Sequence, residues 1–282
     1  MKDKIYVSSM AFGNSIEQIV SRSENLNVQL EFSSGVMYDK NALSIFNNFK
    51  RRKLMHNYFP APKTPFVLNL ASKNEEIRLS SIDHCLRNLE VSKENNLPFY
   101  SAHAGFCLDP NFESLGKKLV FKDNKIEKHE HLQLFEDSLL KIKVHCENND
   151  ICFLIENNVI ISENIINGSN PLLCCSSNEI TEILKSINSK YINLLLDTAH
   201  LKVSCNTLKL NLKDEVKNLM PFIKAIHHSD NNGRFDTNDK LNESYWFKTF
   251  FPFFREIPHV LEVKAQNDEE ILHQLNIIYK WF

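Results

Sequence analysis

Short apolar runs alternate along the chain with longer stretches whose apolar residues repeat at helical spacing. Most short runs are rich in β-branched residues, Leu and Phe, which is typical of strands buried on both faces of a parallel sheet. The predicted strands are Ile5–Ser8, Val28–Phe32, Leu54–His56, Phe99–His103, Cys152–Glu156, Asn193–Asp197, Ile223–His227 and Val260–Val263. The predicted helices are Ser15–Asn25, Lys40–Arg51, Glu75–Asn96, Glu130–Asn148, Glu179–Ser189, Lys213–Phe222, Ser244–Glu256 and Asp268–Trp281.

This alternation predicts a parallel sheet with right-handed crossover connections. Eight strand–helix units in 282 residues match the size of a (β/α)8 TIM barrel, which typically needs about 250 residues. Because no linker or low-complexity stretch divides the chain, we expect residues 1–282 to form a single barrel domain. Two long stretches follow predicted strands, Phe106–Lys125 and Asn157–Ser176, and both should overhang the catalytic face.

Ionisable residues stand at the same end of six consecutive predicted strands. These residues are His56, His103, Glu156, Asp197, His227 and Glu262. An ionisable side chain in an apolar strand is costly unless it is paired or binds a metal, and the carboxyl ends of barrel strands carry the active site. The set therefore predicts a divalent metal site, with a purely structural polar layer as the alternative. Carboxylates and imidazoles without a thiolate suit Zn, Mn, Co or Fe.

The remaining histidines receive other interpretations. His228 follows His227, and alternation along a strand points their side chains in opposite directions, so His227 is the expected ligand. His259 precedes the last predicted strand and should lie at the other end of the barrel. Five histidines in predicted helices are expected at the surface, without a catalytic role: His84, His129, His131, His145 and His273.

Composition excludes several other classes of protein. The chain has six glycines and neither a GxGxxG nor a Walker A motif, which argues against nucleotide-binding loops of those types. A net charge of −2 argues against a nucleic-acid partner, and the basic cluster Lys50–Lys53 ends a predicted helix on the face opposite the site. The seven cysteines match no zinc-binding spacing and are expected to be reduced thiols. No apolar run is long enough to span a membrane, so we expect a cytoplasmic protein with no membrane partner.

The strand-end residues, with the Leu-Asp-Thr-Ala-His segment at Asp197, resemble the xylose isomerase-like barrels. That superfamily includes sugar isomerases and epimerases and also endonuclease IV. The resemblance to its epimerase branch implies one metal ion held by Glu156, Asp197, His227 and Glu262. It also implies an enediolate mechanism in which Glu156 and Glu262 act as the acid and base on a sugar, a sugar phosphate or a related polyol.

The resemblance further implies residues that bind the carbohydrate substrate. His200 lies one helical turn after Asp197, where the family uses this position on substrate oxygens, and Arg234 resembles an arginine that reaches hydroxyl or phosphate groups. A solvated loop arginine is the alternative interpretation of Arg234. Asp236 and Asn238 complete the expected substrate-binding set.

The endonuclease IV branch offers a different interpretation of the same positions. There His56 and His103 with Glu156 would hold a first zinc ion, and His200, Asp236 and position 238 would hold a third. Asn238 stands where that branch has a histidine, so the third metal and the endonuclease-like phosphodiesterase activity are less favoured. A multinuclear iron enzyme with oxidative chemistry, a dehydratase or aldolase, and a non-catalytic sugar-binding barrel also stay open, as does a homo-oligomer.

Overall fold

Eight parallel strands form one continuous sheet in the computed structural model, which describes residues 2–114, 118–121 and 125–282. The strands are β1 (Ile5–Ser8), β2 (Leu30–Phe32), β3 (Lys53–Met55), β4 (Phe99–His103), β5 (Cys152–Glu156), β6 (Ile192–Asp197), β7 (Ile223–His228) and β8 (His259–Leu261). Their order is β3-β2-β1-β8-β7-β6-β5-β4. A parallel bridge between His56 and Ser101 joins the two edges, so the barrel is nearly closed and the predicted TIM barrel fold is confirmed.

Helices connect the strands on the outside of the barrel. They are α1 (Ile16–Asn25), α2 (Ala42–Asn48), α3 (Glu75–Glu94), α4 (Lys128–Asn149), α5 (Ser177–Ile187), α6 (Thr198–Leu208), α7 (Leu212–Leu219) and α8 (Asp268–Tyr279). Two of these connections differ from the sequence prediction. The β6–β7 connection contains α6 as well as the predicted helix, and the predicted helix Ser244–Glu256 is instead a 3-10 helix at Trp246–Phe253 that contains Pro252.

The interior of the barrel is closed by a layer of apolar side chains. Seven strands contribute one residue each: Tyr6, Leu54, Phe99, Leu154, Leu195, Ala225 and Val260. Side chains two positions apart on a strand face the same way. Most of this layer therefore lies one step below the strand-end ionisable residues, for example Leu154 below Glu156 and Ala225 below His227. The layer forms a dry floor beneath the candidate site.

The chain after α8 packs back on the outside of the barrel. The ring of Trp281 stacks on Tyr245 at 5.5 Å, and the ring of Phe282 meets His259 edge-on at 4.7 Å. The basic cluster lies at the end of α2 as predicted, where Lys53 Nζ donates a hydrogen bond to the carbonyl of Phe46 at 2.5 Å. All seven cysteines are free thiols. In the described part of the chain, every helix is too short or too polar to cross a membrane.

Candidate metal centre

Four of the predicted ligands converge at the carboxyl ends of β5, β6, β7 and β8. Glu156, Asp197, His227 and Glu262 each offer one ligand atom, and these four atoms all lie within 4.8 Å of one another. The first three side chains are fully buried, and Glu262 is exposed by 15% toward the cavity above. Neighbouring parallel strands end at the same level, which is why residues far apart in sequence meet here.

His227 lies at the centre of this group. Its Nδ1 atom is 2.8 Å from Glu262 Oε2 and 3.2 Å from Glu156 Oε1, and its Nε2 atom is 3.0 Å from Glu31 Oε1. Glu31 accepts a hydrogen bond from Nε2, so Nδ1 is the ring nitrogen that faces the carboxylates of Glu156 and Glu262. This is the arrangement in which a carboxylate fixes the orientation of a metal-binding histidine.

The residues present fit a divalent cation. Several buried atoms have no hydrogen-bond partner among the described residues, although some lie close to an oppositely charged group: His227 Nδ1, Glu156 Oε2, Asp197 Oδ2 and His103 Nδ1. All four atoms belong to residues whose ligand atoms lie within 4.8 Å of the other members of their group, the spacing that a shared cation needs. Without a cation, buried carboxylates at this density would repel each other strongly.

A second group of donors shares Glu156 with the first. His56 Nε2 and His103 Nδ1 both lie 3.1 Å from Glu156 Oε2, and the ligand atoms of the three residues lie within 4.8 Å of one another. The His56 Nδ1 atom lies 2.9 Å from Ser101 Oγ, which orients the ring. The two histidines could therefore bind a second cation or contact a substrate.

Burial and neighbouring charges shift the ionisation of these groups. Burial is the largest cause that raises the pKa of Asp197 to about 7, and the carboxylates of Glu156, Asp236 and Glu262 contribute to this rise while His200 opposes it. Burial opposes a charge on His227, but Glu31 and Glu262 outweigh this effect and hold its pKa well above the usual range. Burial lowers the pKa of His103 to about 4. His103 is therefore neutral near pH 7, the form that binds metals.

The predicted substrate-binding residues do not all reach the site. His200 lies beside the cluster, with its Nδ1 hydrogen-bonded to the carbonyl of Asn157 at 2.9 Å and its Nε2 3.2 Å from Asp236 Oδ2. Asp236 and Asn238 line the same cavity. Arg234 is exposed and is not among the residues that line it, so contact with substrate stays a prediction for this arginine.

Two residues near the ligands were not identified from the sequence. Glu31 lies in the apolar run Val-Gln-Leu-Glu-Phe, and the charge inside that run was the same signal that identified the other strand-end residues. Asn157 accepts a hydrogen bond from the backbone N–H of Asp197 at 2.7 Å and donates one to its carbonyl at 3.0 Å. Asn157 directly follows Glu156, so it ties the ends of β5 and β6 together.

The outward-facing side of β7 carries a second polar network. The Tyr245 hydroxyl lies 2.6 Å from Thr198 Oγ1 and 3.0 Å from His228 Nδ1, while His228 Nε2 lies 2.7 Å from His259 Nδ1. His228 thus points away from the cluster, as the alternation predicts. Thr198 and His228 directly follow the candidate ligands Asp197 and His227, so Tyr245 links the ends of β6 and β7.

The surface positions expected for two helical histidines are wrong. His84 and His131 are both buried, and each lies within hydrogen-bond distance of a loop carbonyl: Asn57 at 2.9 Å and Ala71 at 2.7 Å respectively. These contacts fix loops that follow β3, so the two histidines support the rim of the barrel.

A cavity of about 730 Å³ opens above the cluster. The two long loops predicted to overhang this face contribute to its wall, although residues 115–117 and 122–124 of the first lie outside the described part of the chain. The loops pair with each other through an antiparallel bridge between Phe106 and Leu172 and a hydrogen bond from Cys107 N to the carbonyl of Pro171 at 2.7 Å. They form one continuous wall.

Fold and site together define a (β/α)8 barrel of the enzyme type, with carboxylate and imidazole donors at the carboxyl ends of its strands. The chain belongs to the xylose isomerase-like TIM barrel family, whose model matches residues 33–280. The family resemblance inferred from the strand-end residues is thereby confirmed.

Individual relatives are distant. The chain is 24% identical to a probable endonuclease 4 of Aquifex aeolicus over 238 residues, which cover 78% of this chain and 73% of the relative. A D-tagatose 3-epimerase-like protein superposes with a TM-score of 0.74 at 19% identity, covering 99% of this chain and 96% of its own. The TTHB071 protein from Thermus thermophilus, soaked with ZnCl2, gives a TM-score of 0.65 at 14% identity and 98% coverage of both chains. At these identities, the solved structures support the fold alone.

Proposed function

We propose that residues 1–282 form one catalytic domain, a divalent-metal-dependent isomerase or epimerase of a sugar, sugar phosphate or related polyol. The ligands are Glu156, Asp197, His227 and Glu262, and the cation is Zn, Mn, Co or Fe. Sugar epimerases among the structural neighbours, such as the D-tagatose 3-epimerase-like protein, are in keeping with a carbohydrate substrate.

One observation carries the proposal. The carboxylates of Glu156 and Glu262 approach the same nitrogen of His227, Glu156 at 3.2 Å and Glu262 at 2.8 Å, so both border one point at the base of the cavity. Two carboxylates beside one reacting carbon can remove a proton and return it to another carbon or another face. A purely structural polar layer would not leave buried donor atoms without hydrogen-bond partners.

The chain's own residues then have distinct roles. Glu156 and Glu262 exchange the proton, while His200 and Asp236 contact substrate oxygens from the side of the cavity. A bound divalent cation would polarise the carbonyl oxygen next to the exchanging carbon. The apolar floor under the strand ends excludes water from below, which strengthens each of these electrostatic interactions.

The reaction is tested by hydrogen exchange. Protein purified without chelator and loaded with Mn, Co or Zn is incubated with a panel of sugars and sugar phosphates in deuterated water. We expect metal-dependent deuterium uptake at a carbon next to a carbonyl, detected by NMR. Glu156→Gln and Glu262→Gln should each abolish the uptake, whereas Glu163→Gln, which changes an exposed carboxylate lining the same cavity, should not. Metal content of each variant separates loss of a ligand from loss of the acid or base, and retained exchange in both glutamine variants would refute the assignment.

A metal-dependent phosphodiesterase is the second candidate. It is favoured by the second donor group, in which His56 and His103 share Glu156, and by the similarity to probable endonuclease 4 proteins. Metal counting distinguishes the two candidates. One tightly bound ion per chain supports the isomerase or epimerase, while two or three ions, together with cleavage of a duplex containing an abasic site, would replace it.

A further inference from the structure

The cavity above the cluster is polar at its base and apolar on its sides. Its base is formed by His56, His103, Glu156 and Glu262, together with His200 and Asp236. Its sides come from the loops that follow the strands, and apolar side chains from five of these loops face the cavity. They include Val36, Tyr38, Leu68, Phe106, Leu172 and Phe235. A ligand that fills this space must match both halves.

The amide side chains on the cavity wall are mostly engaged in holding the loops. Asn57 Nδ2 donates to Ser34 Oγ at 2.8 Å, and Asn158 Nδ2 donates to the carbonyls of Gly105 and Leu173, both at 2.9 Å. Asn164 accepts a hydrogen bond from the backbone of Leu119 at 2.9 Å. One atom of each of these amides is therefore already engaged, while Asn57 Oδ1 has no partner among the described residues. Sugar hydroxyls placed against the apolar side chains of the wall would lose their hydrogen bonds to water.

The described part of the wall offers a phosphate group exposed lysines but no bidentate partner. Within the described ranges, Lys63 and Lys118 are the only lysine or arginine side chains lining the cavity, and both are exposed. Planar bidentate recognition of phosphate is the role of arginine, and Arg234 lies outside the cavity lining.

The size of the cavity also exceeds that of a monosaccharide. Twelve separate water molecules at roughly 30 Å³ each would fill about half of the 730 Å³, and the twelve bonded non-hydrogen atoms of a hexose occupy less than that. The remaining space is bordered by the apolar side chains of the wall, whose burial against an apolar group is favourable. Tyr38 and Phe235, 51% and 42% exposed, border this part and would lose exposed surface on binding.

We propose that the substrate is a carbonyl sugar or polyol carrying an apolar substituent, aromatic or alicyclic, and not a free or phosphorylated monosaccharide. The carbonyl end lies at the strand-end ligands, and the substituent lies between the loops that bear Tyr38, Phe106, Leu172 and Phe235. This proposal rests on the proposed function and specifies its substrate class.

The experiment compares four probes on the metal-loaded, full-length protein. Two are β-glycosides of 3-keto-D-glucose, one with a methyl and one with a phenyl group. The other two are D-fructose and D-fructose 6-phosphate. Binding is measured by calorimetry and exchange by deuterium uptake. We expect the phenyl glycoside to bind at least about tenfold more tightly than the methyl glycoside, and fructose 6-phosphate to bind no better than fructose.

Rim variants test where the substituent lies. Tyr38→Ser and Phe235→Ser should each weaken binding of the phenyl glycoside on the order of tenfold and leave the methyl glycoside unchanged. Phe253→Ser is the matched control, because Phe253 is 66% exposed and does not line the cavity. Partly exposed rim positions tolerate such changes without unfolding.

The outcomes separate the substrate class from the reaction. Equal affinity for the two glycosides would overturn the substrate class even if exchange is observed. The same holds if fructose 6-phosphate binds more tightly than fructose and Lys63→Gln removes this difference. The phenyl glycoside could bind tightly and be weakened by Tyr38→Ser and Phe235→Ser, with no deuterium uptake in any probe. This result would support the apolar site and count against the proposed reaction. Absence of binding by all four probes would overturn the substrate class.

Discussion

Glu31 Oε1 lies 3.0 Å from Nε2 of His227, which connects the end of β2 to the end of β7 inside the barrel. Both side chains are completely buried. The other Glu31 oxygen has no hydrogen-bond partner in the described structure. Glu31 is therefore a buried charge whose identified hydrogen bond orients a candidate metal ligand, and its role can be tested separately from that of the ligands.

Replacing Glu31 by glutamine should weaken metal binding without disrupting the fold. Glutamine keeps an acceptor for the His227 N–H but removes the negative charge that makes the imidazole a stronger ligand. We expect about a 10-fold to 100-fold loss in affinity for Co or Zn, measured by competition with a chelator. Glu256→Gln, at an exposed site, should have no effect. Unchanged affinity in Glu31→Gln would show that Glu31 does not act on the metal.

Adding a divalent cation should stabilise the protein, because the ligand shell exists only in the folded state. At a free concentration one hundred times the Kd, the gain is about 2.7 kcal/mol, and Tm rises by several degrees. Thermal unfolding with Mn, Co, Zn and Mg measures the effect and ranks the metals. The shift should be lost in Glu262→Gln. An equal shift in that variant would place the cation elsewhere.

Asp197 has two roles that substitutions can separate. Its side chain accepts a hydrogen bond from His200 N at 2.7 Å, capping α6, and its second oxygen faces the cluster. Asp197→Asn keeps the cap, so the metal-free protein should be as stable as the wild type, whereas Asp197→Ala should lose about 1 kcal/mol. Both variants should lose at least about tenfold in metal affinity.

The matched control for the cap is Asn74. Its side chain caps α3 by accepting from the N–H groups of Glu76 and Ile77, and it does not line the cavity. Asn74→Ala should cost about 1 kcal/mol in urea denaturation and leave metal affinity unchanged. Equal metal affinity in Asp197→Asn and the wild type would remove Asp197 from the ligand set.

Tyr245→Phe should destabilise the barrel through the strand ends that carry the ligands. The lost hydroxyl leaves Thr198 Oγ1 and His228 Nδ1 without this buried partner, at a cost of about 1–3 kcal/mol. Urea denaturation measures the loss. Tyr191→Phe, which removes an exposed hydroxyl bonded to Asp150, should cost much less. Similar losses in the two variants would contradict a special role for the buried bridge.

Gly105 should not tolerate a side chain. Its φ is +135°, and a Cβ atom there would lie 2.9 Å from Asn69 Oδ1, which two backbone N–H groups hold in place. We expect Gly105→Ala to lose about 2–4 kcal/mol in stability. Gly168 has a φ of +78°, and a Cβ atom added there would have no neighbour within 4 Å, so this position isolates the backbone effect. Gly168→Ala should therefore lose only about 1 kcal/mol.

The strands were the most predictable part of the fold. Three predicted strands, Ile5–Ser8, Phe99–His103 and Cys152–Glu156, coincide with β1, β4 and β5, because runs buried on both faces have a distinctive composition. The helix predicted at Ser244–Glu256 is wrong, since its apolar spacing was helical but its backbone is a 3-10 helix containing Pro252. Periodicity does not distinguish these two backbones well.

The site was predictable where strand geometry determines it, and less so elsewhere. Candidate ligands at the ends of β5 to β8 follow from position alone, whereas Glu31, one residue before the end of the run Val28–Phe32, was missed. Burial of His84 and His131 depends on the carbonyls of Asn57 and Ala71, which belong to loops remote in sequence. Helical spacing contains no information about such partners.

The bridge between Phe106 and Leu172 constrains how new specificities can arise in this barrel. Because the two loops share hydrogen bonds, an insertion or exchange in one should shift the other. A change in one loop alone would therefore disturb the hydrogen bonds between them. Directed evolution of this barrel should therefore randomise or transplant the two segments together.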